Sequence, residues 1–299
     1  MLKLWSLAGY KNFGDALSPI LVQEMLGQPV VPTGSTNSEM VAVGSLFACG
    51  RGLYRDKTSI MSIEGLKTIR LRLINSVSPS IKVWGTGFLY ESIPRNPLPI
   101  RSLDVRAVRG RYTLDILRKT GLCAHGSHVA FGDPGLFYAS LLRELPSKKY
   151  DLGVVPHEVD RYAGEFVVES LAKQGVRVKY IDVCDDPLQV VSEIASCDKI
   201  LSSSLHGLIV ADSLGIPNRQ MMLSYFGYTK EQFLFKFRDY YSAFGLDLKR
   251  PLTPLDIFSR TSELMNSICS CVDTESVEKC KAELLSAFPF EIRDLARYR

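Results

Sequence analysis

The 299-residue sequence has no apolar run approaching the roughly 18 residues of a membrane-spanning helix. It has no GxxxxGK followed by Ser or Thr, so it is not a P-loop enzyme. No GxGxxG follows the first apolar run, and Gly85-Thr86-Gly87 is too short to count as one, so the dinucleotide fingerprint is missing. HExxH and DxD are absent, which lowers the expectation of a metal mechanism. The seven cysteines are odd in number and form no CxxC pair. Cys269 and Cys271, one residue apart, have a poor spacing for zinc, so reduced thiols are expected. Charge is also in short supply. A net +4 is too small for a nucleic-acid binder, but it suits an anionic substrate or loose contact with an acidic membrane surface. The opening Met1-Leu-Lys-Leu-Trp-Ser looks like a first strand rather than a signal peptide. The expectation is a cytoplasmic protein whose membrane contact, if any, is peripheral, at the inner face.

What is present is an ordinary globular composition, 46% hydrophobic and 23% charged. Short apolar runs alternate with amphipathic stretches, the pattern of parallel strands linked by helices. Strands are expected at 2–7, 40–43, 81–84, 104–108 and 128–131, and each runs into a loop of Gly, Asp, Ser or Arg. A helix is expected over 16–26 with Asp15 as its N-cap, and another over 112–119. The polar, proline-containing stretch 145–149 breaks the pattern, and a second cycle follows. Its strands fall at 151–155, 176–181 and 199–202, and its helices at 162–174, 187–195 and 208–214. The reading is α/β, with a Rossmann-like half at 1–147 and a second at 148–299, facing across a cleft. The tail from about 253 reads as helices that pack back on the first half. In open α/β sheets, ligands bind at the edge where strands end in loops.

The strongest local signal is Ile200-Leu-Ser202-Ser203-Ser204-Leu205-His206-Gly207. A buried strand ends in three hydroxyls, and a helix begins with a histidine in its first turn. Backbone N–H groups at a helix N-terminus favour an anion, and serines add donors. His206 is placed to move a proton near neutral pH. The plainer alternative makes Ser204 a cap and His206 a surface residue. Arg109 follows a strand and precedes a helix, where a guanidinium can clamp phosphate or carboxylate, or form a surface ion pair. Lys236, in Phe233-Leu-Phe-Lys-Phe-Arg238-Asp239, is either a second anion contact or a snorkelling surface lysine. In Asn12-Phe-Gly14-Asp15, Gly14 permits a tight turn, and Asp15 is a base, a sugar ligand or only a cap. Gly132-Asp133-Pro134-Gly135 is mainly a turn. His157, at a strand end after Pro156, is a candidate on the cleft. His125 and His128 receive no role.

Taken in order, Asn12-x-Gly-Asp, Trp84-Gly-Thr-Gly, Val108-Arg-Gly, Gly132-Asp-Pro, Val155-Pro-His and Ser202-Ser-Ser-Leu-His-Gly resemble the polysaccharide pyruvyl transferases. The resemblance spans roughly residues 4–239. Lys236-Phe-x-Asp239-Tyr240-Tyr241 is similar to the subgroup that modifies bacterial exopolysaccharides. The resemblance implies a fold like the GT-B glycosyltransferases and pyruvate transfer from phosphoenolpyruvate to a sugar, free or lipid-linked, as a cyclic ketal. It implies no cofactor or metal. Arg109 and His206 fall at the implied phosphoenolpyruvate site. On this reading Arg109, Ser203, Ser204, Leu205, His206, Gly207 and Lys236 bind the donor. Asn12, Gly14, Asp15 and His157 face the acceptor. His206 is the general acid, Asp15 or His157 the base, and Arg109 the clamp. One departure stands out: many members have Arg-Leu-His where this chain has Ser204-Leu205-His206, leaving Lys236 or Arg238 to supply the cation. The alternatives are a GT-B glycosyltransferase using a nucleotide sugar and a non-catalytic sugar-binding subunit.

Overall fold

Alternating buried strands and half-buried helices build two parallel sheets. The structure is a computed structural model that describes residues 1–7, 11–35, 37–47, 54–56, 78–91, 97–99, 101–224, 229–263, 265–266 and 269–298. Cys49, one of the seven cysteines, lies outside the described residues.

The first sheet has six strands: β1 (Leu2–Trp5), β2 (Val30–Thr33), β3 (Met40–Val41), β5 (Ile81–Trp84), β7 (Leu103–Val108) and β8 (Ala130–Phe131), in the order β2-β1-β3-β5-β7-β8. Every pairing in it is parallel. Between these strands in the chain, β4 (Tyr54–Asp56) and β6 (Pro97–Pro99) pair antiparallel as a separate ribbon. The second sheet is parallel too: β9 (Leu152–Val155), β10 (Val178–Tyr180), β11 (Ile200–Ser202) and β12 (Asn218–Gln220), in the order β10-β9-β11-β12. Two Rossmann-like halves facing across a cleft, the GT-B kind of arrangement, are therefore observed.

Helices α1 (Phe13–Leu26) and α2 (Arg111–Lys119) serve the first sheet. Helices α3 (Arg161–Ala172), α4 (Pro187–Ala195) and α5 (Leu205–Ser213) serve the second. Helix α5 is buried from Leu205 through Asp212, because its apolar residues surround the axis instead of forming a stripe. Helix α6 (Lys230–Ser242) starts with a capping box between Thr229 and Gln232. It is followed by α7 (Pro254–Ser259) and α8 (Thr274–Ala287).

One apolar cluster spans both halves, beside a smaller cluster in each. Phe13, Leu17 and Leu21 of α1 belong to the same buried cluster as Val190, Val191 and Ile194 of α4. The Phe13 N–H donates to the Val183 carbonyl at 2.8 Å, joining α1 to the second half by backbone. Helix α8 lies on the first sheet, where the Trp84 indole donates to the Leu284 carbonyl at 2.8 Å and stacks edge-on against Phe288. No helix among the described residues is long and apolar enough to cross a membrane.

Three local expectations change. Asn12, not Asp15, is the N-cap of α1: its Oδ1 accepts from the Gly14 N–H at 3.2 Å. The helix therefore begins three residues earlier than expected, which leaves Asp15 in its first turn. Helix α5 likewise starts at Leu205 instead of 208. The strands β2 and β12 were not anticipated, because Pro32 interrupts the first and Asn218-Arg-Gln220 has no apolar residue. Both lie at sheet edges, where proline and polar residues are tolerated.

Candidate active site

The loops at the carboxyl ends of both sheets, with α6, enclose a cleft of about 330 Å³. The first half contributes Asn12, Asp15, Gly44, Ser45, Tyr90 and Arg109. The second contributes His157, Ser204, Leu205 and His206, and α6 adds Phe233 and Lys236. Asn12, Asp15, Arg109, His157, Ser204, Leu205, His206 and Lys236, all candidates from sequence, thus meet in one cavity.

Helix α5 presents its N-terminus there. Ser204 occupies the N-cap position, but its side chain makes no capping hydrogen bond. Among the described residues no side chain caps the first-turn amides, at a site lined by Ser204, Leu205 and His206. The capping-only reading of Ser204 does not hold. Ser202 is spent inside the fold: its hydroxyl bridges the Val155 carbonyl at 2.9 Å and the Ser204 backbone.

Ser203 and Gly207 are corrections to the donor set, since neither lines the cleft. The Ser203 hydroxyl donates to Asp160 Oδ2 at 2.6 Å and accepts from the His157 N–H at 2.9 Å, so it braces the His157 turn. Gly207 sits where an added Cβ would lie 2.4 Å from Ser202 Oγ, so its missing side chain serves helix–strand packing. Gly14 is corrected for a similar reason. It lies inside α1, not in a tight turn, and an added Cβ would lie 1.9 Å from His206 Nδ1. Its bareness admits the imidazole. Asn12 reaches the cleft but is occupied, capping α1 and donating from Nδ2 to Glu158 Oε2 at 3.1 Å.

Arg109 is fully buried. Its Nε donates to Asp239 Oδ2 at 3.0 Å, one Nη to Ser45 Oγ at 2.8 Å, and the other to the Phe88 carbonyl. Three of its five N–H groups are used, and its charge faces the Asp239 carboxylate at 3.0 Å. The surface ion-pair reading fails, and the clamp reading narrows to the remaining donors. Gly87 makes room for this guanidinium: a Cβ there would lie 2.6 Å from Cζ.

Lys236 has no hydrogen-bonded or ion-paired partner among the described residues. Its ammonium lies 5.9 Å and 5.2 Å from the ring centres of Phe233 and Phe237. Burial, with a smaller contribution from Arg109, lowers its pKa to about 8. Arg238 points away, is exposed, and donates to the Glu231 carbonyl. Of the two cations considered for the gap at Ser204, only Lys236 lines the cleft.

His206 packs edge-on to Phe13 and tilted to Tyr138, each at 6.2 Å. Its Nε2 is buried without a hydrogen-bond partner among the described residues. Burial, then Lys236, Arg109 and His157, hold its pKa down to about 3. These surroundings disfavour the protonated ring in the free protein. His157 is pushed down to about 4 by burial and Lys236. Asp15 moves the other way, raised to about 6 by burial, with Glu158 adding and Lys236 opposing.

Sequence reasoning missed Ser45, Tyr90, Glu158, Asp160 and the pairing of Asp239. Glu158 and Asp160 follow His157 directly, and a strand end bearing a His, Glu and Asp within four residues was the available signal. The Arg109–Asp239 contact joins residues 130 apart and left no trace in sequence.

Two facing parallel sheets thus place a helix N-terminus and a lysine at their junction. A model of the polysaccharide pyruvyl transferase family matches residues 83–219. An uncharacterised protein of Acanthamoeba polyphaga mimivirus is 30% identical over 220 residues, covering 72% of this chain and 73% of that protein. The succinoglycan biosynthesis protein ExoV of Rhizobium meliloti is 28% identical over 156 residues, 52% of this chain and 46% of its own length. The chain belongs to the polysaccharide pyruvyl transferase family. Among solved structures, a wall teichoic acid polymerase, TagF, aligns over 99% of this chain and 86% of its own, with a TM-score of 0.42 and 11% identity.

Proposed function

We propose that the protein transfers pyruvate from phosphoenolpyruvate to two hydroxyls of a saccharide, closing a cyclic ketal and releasing phosphate. The observation that supports this is the N-terminus of α5, uncapped by the Ser204 side chain, in a cleft that Lys236 and Arg109 also line. Phosphoenolpyruvate has two anionic ends. The amides of Leu205 and His206 and the Ser204 hydroxyl suit the phosphate. Lys236 and the spare N–H groups of Arg109 suit the carboxylate. In this reading Lys236 stands in for the arginine that many relatives have at the position of Ser204. Leu89 and Tyr90, with Asp15, form the acceptor wall. The acceptor is an exopolysaccharide unit, free or lipid-linked, met at the inner face of the membrane in the second case.

The test incubates the protein with phosphoenolpyruvate and a panel of galactosides, glucosides and mannosides, following phosphate release and a product gain of about 70 Da (pyruvate added, water lost). Turnover that survives EDTA supports a reaction without metal or cofactor. Lipid-linked and free forms of the best acceptor are compared at equal concentration. Stabilisation by a nucleotide sugar and not by phosphoenolpyruvate would favour the glycosyltransferase instead.

A further inference from the structure

The segment Gly85-Thr86-Gly87 follows β5, and the strand order β3-β5-β7 sets it between the loop after β3 and Arg109 after β7. It bonds to both neighbours. The Thr86 hydroxyl donates to the Gly44 carbonyl at 2.7 Å, and the Gly87 N–H donates to the same oxygen at 3.2 Å. On the other side the Arg109 N–H donates to the Thr86 carbonyl at 3.1 Å. Gly44 turns the chain with a φ of 105°, a conformation that suits glycine, and Ser45 follows it beside the guanidinium. Ser45 is half-buried and lines the cleft. Its Oγ accepts from Arg109 Nη1 at 2.8 Å. That leaves its own O–H, and the second N–H of the same Nη1, without an acceptor among the described residues. Arg109 is held in this position, since Asp239 fixes Nε and the Phe88 carbonyl fixes the other Nη. Two donors therefore stand side by side in residues that line the cavity.

We propose that Ser45 and Arg109 form a two-donor seat for a carboxylate, and that Ser45 makes the cleft select a donor that has one. The proposal deepens the pyruvyl-transfer reading and rests on it. Ser45 Oγ and Arg109 Nη1 lie 2.8 Å apart, so one carboxylate can take a hydrogen bond from each through its two oxygens. Accepting from a guanidinium polarises the Ser45 O–H and strengthens it as a donor. Asp239 opposes the guanidinium's charge, and the Asp15 carboxyl lies next to Gly44, where an added Cβ would be 2.8 Å from its Oδ1. Attraction for an anion then falls to Lys236 in the same cleft, and the seat acts through the direction of its hydrogen bonds. Directed donors discriminate strongly, because a ligand without the matching acceptors leaves them unpaired and out of water. The phosphate end is left to the N-terminus of α5, on the opposite half.

Calorimetric titration without acceptor tests the seat. The ligands are phosphoenolpyruvate and isopropenyl phosphate, the same enol phosphate with a methyl group in place of the carboxylate. Ser45→Ala should weaken phosphoenolpyruvate binding about tenfold or more and leave isopropenyl phosphate binding unchanged. A merely structural role would lower both affinities alike. That result, or an unchanged affinity for phosphoenolpyruvate, overturns the proposal. Ser45→Cys, nearly the same size with a weaker donor, is read in the same way and serves if the alanine variant fails to melt cooperatively. Pyruvate, which has the carboxylate and no phosphate, separates the seat from the functional reading. A wild type that takes pyruvate but not phosphoenolpyruvate ends the pyruvyl-donor reading. In that case loss of pyruvate binding in Ser45→Ala upholds the seat, and its retention overturns it. A wild type that takes neither ligand overturns both.

Discussion

Lys236 lines the cleft with the carboxylates of Asp15, Glu158 and Asp160 near enough to support its charge, and desolvation brings its titration within reach of experiment. Its pKa is lowered to about 8, so the ammonium is complete below pH 7 and is lost as pH rises past 8. Donor affinity should fall in the same direction. We expect the apparent KM for phosphoenolpyruvate to rise about eightfold from pH 7.5 to 9. In Lys236→Arg, whose guanidinium stays charged, that rise should vanish. A wild-type KM that stays flat to pH 9 would show that Lys236 does not hold the donor. At this scale the sequence pointed to residues that line the cleft, as for Arg109, His206 and Lys236. It misled where a residue serves a neighbour. Gly14 suggested a turn, yet its purpose is the space taken by an imidazole 192 positions away. Ser203 looked like one more donor in a row of three hydroxyls, and only the folded chain brings Asp160 to it.

Among the elements, α5 is the most constrained, and Asp212 ties its far end. Asp212 Oδ1 accepts from Asn218 Nδ2 at 2.7 Å and from the Val272 N–H at 3.1 Å, and Oδ2 accepts from the Tyr240 hydroxyl at 3.0 Å. One carboxylate thereby holds α5, β12, α6 and the segment before α8. Asp212→Ala leaves the Val272 and Tyr240 donors buried and unpaired, a cost of about 2–5 kcal/mol. Urea denaturation should register it as a lower midpoint with an unchanged slope, and a loss under 1 kcal/mol would refute the tie. Burial raises the Asp212 pKa to about 6. The folded state therefore holds the proton more tightly, and this residue's contribution is complete below about pH 4 and lost as pH rises through 6. Strands and helices with a clear apolar period, such as β5 and α4, were legible to the residue. Helix starts were less so, because Asn12 and Asp15 are both good caps and only the fold decides between them.

On the scale of the whole molecule, two sheets with separate strand sets are joined by one apolar cluster through α1, α4 and α5, beside a smaller cluster in each half. The break at 145–149 lies between β8 and β9, where one sheet gives way to the next, whereas the cluster that spans both depends on which helix faces meet. Unfolding should therefore be a single event. Both tryptophans, Trp5 and Trp84, lie in the first half, so fluorescence reports that half alone while far-UV circular dichroism reports both. Coincident midpoints by the two probes are expected. Separated transitions would mean that the halves melt independently.

Helix α6 serves both halves at once. It brings Lys236 to the cleft, buries Phe235 in the core of the first half, and three residues further on sets Asp239 against Arg109 and Thr113. Gly110 lets that helix come close, as a Cβ there would lie 1.7 Å from the Asp239 carbonyl oxygen. The practical boundary for recombination therefore does not fall at the chain break between the sheets. A chimera that takes its second half from a relative inherits a charged latch without its keeper unless the stretch from Gly85 to Thr113 travels with it.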